Sequence, residues 1–155
     1  MADADLATAF FEALGIGAAD AQSFDALALR GLTVVSADAA AGTLTVRLPL
    51  EKARTNRYNT LHGGCAATIV DVVTSAAIVL TGADGGVSVT LDVTYLSPAP
   101  LTAGHVLATA RTRRVGRSLA VADIDILLPD GKTVVATGRH VKHVAAGRHV
   151  PRSKL

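Results

Sequence analysis

Asp71 is the only charged residue between Cys65 and Leu80. Its neighbours are Ile69, Val70, Val72 and Val73, with alanines on either side. Burying an unpaired carboxylate among such residues is costly, so a chain that keeps one there uses it or pairs it. In a dry cleft such a group suits general-base or nucleophilic work. The competing readings are a narrow solvated stripe or an arginine partner. His62-Gly63-Gly64 opens the same segment. Backbone N–H groups at a helix N-terminus have no intrahelical acceptor and sit at the positive dipole end. Glycine lets a ligand approach them, and a developing oxyanion would be stabilised there. The alternative is an ordinary tight entry into a helix. Together, a donor pair at the start and a carboxylate two turns along read as a layout for acyl transfer to water.

Other chemistry-bearing residues carry alternatives of their own. Arg111, Arg113, Arg114 and Arg117 form a basic cluster. Arg114 and Arg117 are read as phosphate contacts, while Arg111 and Arg113 are left open between ligand and strand edge. His140 and His143 stand three apart on a predicted strand, so they point to opposite faces and are not joint metal ligands. No metal site is expected. Cys65, the only cysteine, reads as a small packing residue near the helix start and excludes an intrachain disulfide.

The elements that must position these residues follow from periodicity and breakers. Residues 3–14 have helical spacing at Leu6, Phe10 and Leu14, closed by Gly15. A second helix is predicted over residues 19–28. Strands are predicted over 32–35 and 42–50, joined by a turn around 37–42. Residues 51–60 are polar and aperiodic, a loop. The segment from His62 to Leu80 is apolar nearly all round and reads as a buried helix. Alternating or β-branched runs then predict strands over 87–96, 105–115, 118–128 and 133–145, with Gly116 and Pro129-Asp130-Gly131 at turns. The layout is α+β, an antiparallel sheet wrapped around one long central helix.

Composition narrows the partners. At 155 residues the chain suits a single domain over 1–145, with a flexible basic tail over 146–155. Aromatic residues make up 3%, which leaves no stacking platform for nucleic-acid bases. The acidic N-terminus is not a secretory signal. The run from Cys65 to Leu80 is shorter than the ~20 residues of a membrane span, so the expectation is a soluble protein with no membrane span. Net charge is +2, but residues 1–100 hold five Lys/Arg against ten Asp/Glu, and residues 101–155 hold ten against three. A basic second half suggests an anionic partner, a phosphorylated small molecule rather than a nucleic acid; the competing reading is an ordinary basic surface.

Three stretches carry a resemblance. Asn56-Arg57-Tyr58-Asn59-Thr60-Leu61-His62-Gly63-Gly64 followed by Asp71 resembles the signature of PaaI-like hotdog-fold thioesterases. The stretch from Gly86 through Ser88 and Tyr95 to Pro98 resembles the strand after their central helix. Gly138-Arg139-His140-Val141-Lys142-His143 resembles their closing strand. The likeness spans roughly residues 24–144; residues before Phe24 match poorly, and one residue is inserted between Leu101 and Arg114.

The resemblance implies a hotdog fold and hydrolysis of an acyl-coenzyme A thioester, fatty or aryl-acetyl, with no cofactor beyond the coenzyme A of the substrate. It implies that Gly63 N–H polarises the carbonyl and that Asp71 acts as base or nucleophile on a thioester bound mainly by the neighbouring subunit. Asn56 would hold the carbonyl or the water, Ser88 would orient the water or support Asp71, and His62 would hold the loop. Coenzyme A would lie along Thr90, Tyr95, Arg114, Val115, Gly116, Arg117, Ser118, Leu119 and His143. A dimer assembling into a homotetramer is implied as well. Two alternatives of the same fold remain. An enoyl-CoA hydratase is disfavoured because no Asp-x4-His occurs; a non-catalytic acyl-CoA binding or sensing protein would not need Asn56, Gly63, Asp71 and Ser88 together. Ser153-Lys154-Leu155 has the form of a peroxisomal address read by an import receptor. It predicts a peroxisome or a glycosome-like organelle, compartments that handle acyl-CoA.

Overall fold

A computed structural model describes residues 2–145; the expected basic tail and its terminal tripeptide lie outside the described residues. In chain order the elements are α1 (Asp3–Ala13), α2 (Phe24–Ala28), β1 (Thr33–Asp38), β2 (Thr43–Pro49), α3 (Gly63–Leu80), β3 (Val87–Tyr95), β4 (His105–Val115), β5 (Leu119–Leu127) and β6 (Val134–His143). The six strands form one antiparallel sheet in the order β1-β2-β4-β5-β6-β3. β4, β5 and β6 are the meander expected from their turns. β3, which follows α3 in sequence, crosses to the far edge and pairs with β6 alone among the described residues.

The alternation along the strands places one apolar face against α3. Leu44, Val46 and Leu48 of β2, Val106, Ala108 and Ala110 of β4, and Ile124 and Ile126 of β5 are buried there. α3 answers with Ile69, Val70, Val73, Ala76 and Ala77, which pack against them in one core. Small side chains on both sides let helix and sheet approach closely. Gly138 shows how closely: a Cβ added to it would stand 2.7 Å from Val70 Cγ1. Glycine at this point of β6 lets the strand run close under the helix, which brings the next inward residues, His140 and Lys142, within reach of it. α3 is long and apolar enough to cross a membrane, but it is mostly buried inside this fold.

Three boundaries differ from expectation. α2 begins at Phe24 rather than residue 19, because Ser23 is its N-cap and accepts a bond from Ala26 N–H at 3.3 Å. β1 continues to Asp38, through the stretch expected to turn, because Ala37 and Asp38 pair with Leu44 and Thr43 across the ladder. Lys52–Arg54 forms a single 3-10 turn inside the expected loop.

Candidate active site

Two sets of polar groups lie on α3, at different heights. The first surrounds its N-terminus. His62 is the N-cap, and its Nδ1 accepts the Gly64 N–H at 2.9 Å. Gly63 N–H is left without a hydrogen-bond partner among the described residues. The Tyr95 hydroxyl donates to the Gly63 carbonyl at 2.9 Å, and its ring stands beside the glycine. The loop before the helix is fixed by main-chain bonds from His62 N to Arg54 O and from Leu61 N to Ala99 O, both 2.8 Å. Asn56 folds this loop on itself. Its Oδ1 accepts from Tyr58 N–H at 2.9 Å and from Thr60 N–H at 3.3 Å, and its Nδ2 donates to Thr60 Oγ1 at 2.9 Å. Asn56 thus shapes the loop, and one amide proton remains for a further acceptor.

The second set surrounds Asp71. The buried-carboxylate expectation is not met in the single chain: the Asp71 side chain is 47% exposed. It sits on the narrow solvated stripe weighed against that expectation, in line with exposed Gly64 and half-buried Ala67. The stripe opens into a cleft of about 420 Å³ lined by Phe10, Leu14, Asp25, Asp71, Ser75, Ser88 and Lys142, among others. Burial and then the Asp71 charge push the Asp25 carboxyl up.

Beneath the cleft lies a polar network that the sequence reading missed. His140, fully buried, places Nδ1 2.7 Å from Thr74 Oγ1 and Nε2 2.8 Å from Ser88 Oγ. Nε2 is 3.7 Å from Asp71 Oδ1. Burial first, then the Lys142 ammonium, push the imidazole below its usual value, against the pull of Asp71. Lys142 is 6% exposed and donates to Ser75 Oγ at 2.6 Å; Ser75 in turn donates to the Asp71 carbonyl at 2.7 Å. Burial pushes the Lys142 ammonium down, opposed by Asp71 and Asp84. The signal in the sequence was the row Ala136, Gly138, His140, Lys142, which a strand places on one face.

Asp71 and Ser88 therefore come together on one cleft of the chain. Gly63 and Asp71 do not: eight residues of helix separate them by roughly 12 Å. One carbonyl cannot touch both, so the single-helix layout drawn from the sequence is corrected. The expected coenzyme A residues also divide. Leu119 and Val87 both pair with His143, and Gly116 N–H closes the β4–β5 hairpin on Leu119 O at 2.8 Å. Arg114, Val115, Arg117 and Ser118 are exposed on that hairpin, at one end of the sheet, with Thr90 exposed along β3. Tyr95 lies at the other end of β3, ~27 Å from Val87 along an extended strand. Arg113, left open from sequence, pairs with Asp123 at 2.8 Å, which also holds Arg139 at 2.7 Å; Arg111 is exposed. His143 is exposed and His140 buried, on opposite faces as expected. Among the described residues no group of three or more His, Cys, Asp or Glu side chains is placed to hold a metal ion. Cys65 is buried, and burial pushes its thiol up.

Comparison with known proteins identifies the family and the fold. The sequence profile described as "Thioesterase superfamily" matches residues 58–135. Acyl-coenzyme A thioesterase 13 of Mus musculus is 38% identical over 118 residues, 75% of this chain and 81% of that protein. The crystal structure of zebra fish thioesterase superfamily member 2 superposes with a TM-score of 0.76 at 33% identity, covering 92% of this chain and 95% of the other. The E. coli PaaI protein, at 24% identity and a TM-score of 0.73, covers 95% of this chain and 99% of its own and shares the fold. By profile, by identity and by its six-stranded sheet around a long central helix, the chain belongs to the thioesterase superfamily and has the hotdog fold.

Proposed function

We propose that this chain hydrolyses acyl-coenzyme A thioesters to a free acid and coenzyme A. The observation that carries the reading is the division of the site: an unbonded Gly63 N–H at the α3 N-terminus, and a half-exposed Asp71 beside Ser88 two turns away. Two copies joined with α3 helices antiparallel would set the Gly63 end of one against the Asp71 cleft of the other. The β3 edge, with Val87 and Val89 exposed, supports such a pairing. A dimer, and a tetramer built from it, belong to this proposal.

In the assembled site the thioester carbonyl would accept from Gly63 N–H and from the spare Asn56 amide proton, with His62 holding the turn. Asp71 would take a proton as water oxygen bonds to the carbonyl carbon. The carbon–sulfur bond then breaks, and the thiolate leaves with the electron pair. Ser88 would hold the water. Thr90, Tyr95, Arg114 to Leu119 and His143, drawn from both copies, would carry coenzyme A, its phosphates on Arg114 and Arg117. Water is the only co-reactant, and no cofactor is invoked. The acyl group is fatty or aryl-acetyl. A peroxisomal or glycosome-like location rests on Ser153-Lys154-Leu155 alone.

Release of free thiol from a panel of acyl-CoAs, short, long and aromatic, tests the reaction. Turnover on at least one is expected, falling about 10²-fold or more in Asp71→Asn, the scale of a lost general base. Binding without thiol release would favour an acyl-CoA binding protein; full activity in Asp71→Asn would move the chemistry to another residue.

A further inference from the structure

We propose that His140 is a positioning residue: the Thr74–His140–Ser88 chain turns the Ser88 hydroxyl so that its oxygen, not its proton, faces the Asp71 cleft. The inference rests on the hydrolysis proposed above and assigns how its water is held. It follows from proton counting along measured contacts. Thr74 Oγ1 lies 2.6 Å from the Val70 carbonyl and 3.2 Å from the Asp71 carbonyl, groups that only accept. A hydroxyl has one proton. Thr74 uses it on the helix backbone, so toward His140, 2.7 Å away, its oxygen accepts. Nδ1 of His140 must therefore carry hydrogen. A neutral imidazole has one N–H, so Nε2 is an acceptor, and Ser88 Oγ at 2.8 Å donates to it. The Ser88 proton is then used, and its lone pairs face a cleft shared with Asp71. A water there gives one hydrogen to the carboxylate and one to Ser88, leaving its own lone pair directed at the carbonyl carbon.

The order of protons requires a neutral His140. The side chain is fully buried. Its cross-strand neighbours are Ala122 on β5 and Leu91 on β3; the charged groups facing it are Asp71 on α3 and Lys142 on its own strand. Burial and Lys142 favour the neutral ring, and Asp71 opposes them. A protonated ring would donate from Nε2 to Ser88 and toward Asp71 Oδ1 at 3.7 Å. The Ser88 proton would then turn into the cleft and face the water wrongly.

The experiment compares kcat and KM for wild type, Ser88→Ala, His140→Leu, His140→Gln and the Ser88→Ala/His140→Leu double variant. Ser88→Ala and His140→Leu should each lower kcat about tenfold, the rate equivalent of one neutral hydrogen bond, with KM unchanged. The double variant should be no slower than Ser88→Ala, because His140 acts only through Ser88. His140→Gln, whose amide oxygen can accept from Ser88, should recover kcat relative to His140→Leu. Equal losses that multiply in the double variant, or wild-type kcat in His140→Leu, would overturn the relay. If Ser88→Ala itself keeps full kcat, the proposed water site fails instead. In that case, or if His140→Leu does not fold, 15N NMR of the histidine-labelled wild type still decides the relay. A neutral ring with its proton on Nδ1 supports it, and an Nε2–H tautomer or an imidazolium near neutral pH overturns it.

Discussion

Arg54 and Lys142 are both buried cations, 4% and 6% exposed, but they are held in opposite ways. Arg54 lies under the loop before α3. Its Nε donates to the Ala28 carbonyl at 2.7 Å, one terminal nitrogen to the Pro49 carbonyl at 2.9 Å, and the other to the Arg30 carbonyl. Each guanidinium nitrogen is bound to main chain, so the residue pins α2, β2 and the loop together, with three of its five N–H groups ending on backbone carbonyls. Among the described residues the Lys142 ammonium donates one hydrogen bond, to Ser75, and lines the cleft that holds Asp71. A buried charge whose donors end on backbone is architecture. One that keeps donors toward a cleft, and whose ionised form is disfavoured there, is available to the site.

The comparison breaks most visibly at Arg54. Arg54→Ala removes three charge-assisted bonds and leaves three carbonyls to find water, which should cost about 3 kcal/mol of stability. For a chain of this size that lowers Tm by roughly 6–12 °C in a thermal melt. Loss of less than ~1 kcal/mol would show the carbonyls are well solvated without it.

Lys142→Met should do the reverse. It removes a charge that burial disfavours and keeps the methylene volume, so stability near neutral pH should be unchanged or higher by about 1 kcal/mol. The pH dependence has a definite sign. Burial pushes the folded-state ammonium below its ordinary value of 10.5. Between the lowered value and 10.5 the unfolded chain binds more protons, so wild-type stability rises with pH through that window. Lys142→Met should lose this rise, and its advantage over wild type should shrink as pH approaches the unfolded value. An unchanged slope would mean the ammonium is well solvated in the fold.

Much of this was legible beforehand, for identifiable reasons. α3 and the strands β2 to β6 declare themselves by period and breakers. Asp71 stands out as the one charge in an apolar run. What the run concealed is that Gly64, Ala67 and Asp71 share a stripe left open to solvent in the single chain; small residues on a helix read the same whether they face a core or solvent. The inward polar row of β6 was present as alternation. Its meaning depends on Thr74 and Ser75 arriving from α3, which only the packing beside Gly138 brings about. The division of the expected coenzyme A residues reflects strand length, since Tyr95 ends β3 far from the β4–β5 hairpin that carries Arg114 and Arg117. The β1 extension and the late start of α2 are set by ladder pairing and by one cap, which composition does not resolve.

The smallest effect isolates what holds Arg54. Glu51 Oε2 lies 3.4 Å from an Arg54 terminal nitrogen, but its side chain is 53% exposed. An ion pair so open to water is screened and contributes at most ~0.5 kcal/mol. Glu51→Gln keeps the shape and removes the charge, so Tm should fall by no more than about 2 °C, and by less still in high salt. Had the ion pair been the anchor, Glu51→Gln would approach the loss seen in Arg54→Ala, and salt would weaken the wild type toward the variant. A small, salt-sensitive change beside a large, salt-insensitive one would place the hold in the three carbonyls. The guanidinium would then be a main-chain clamp, and Lys142 the buried cation of this pair that remains available to chemistry.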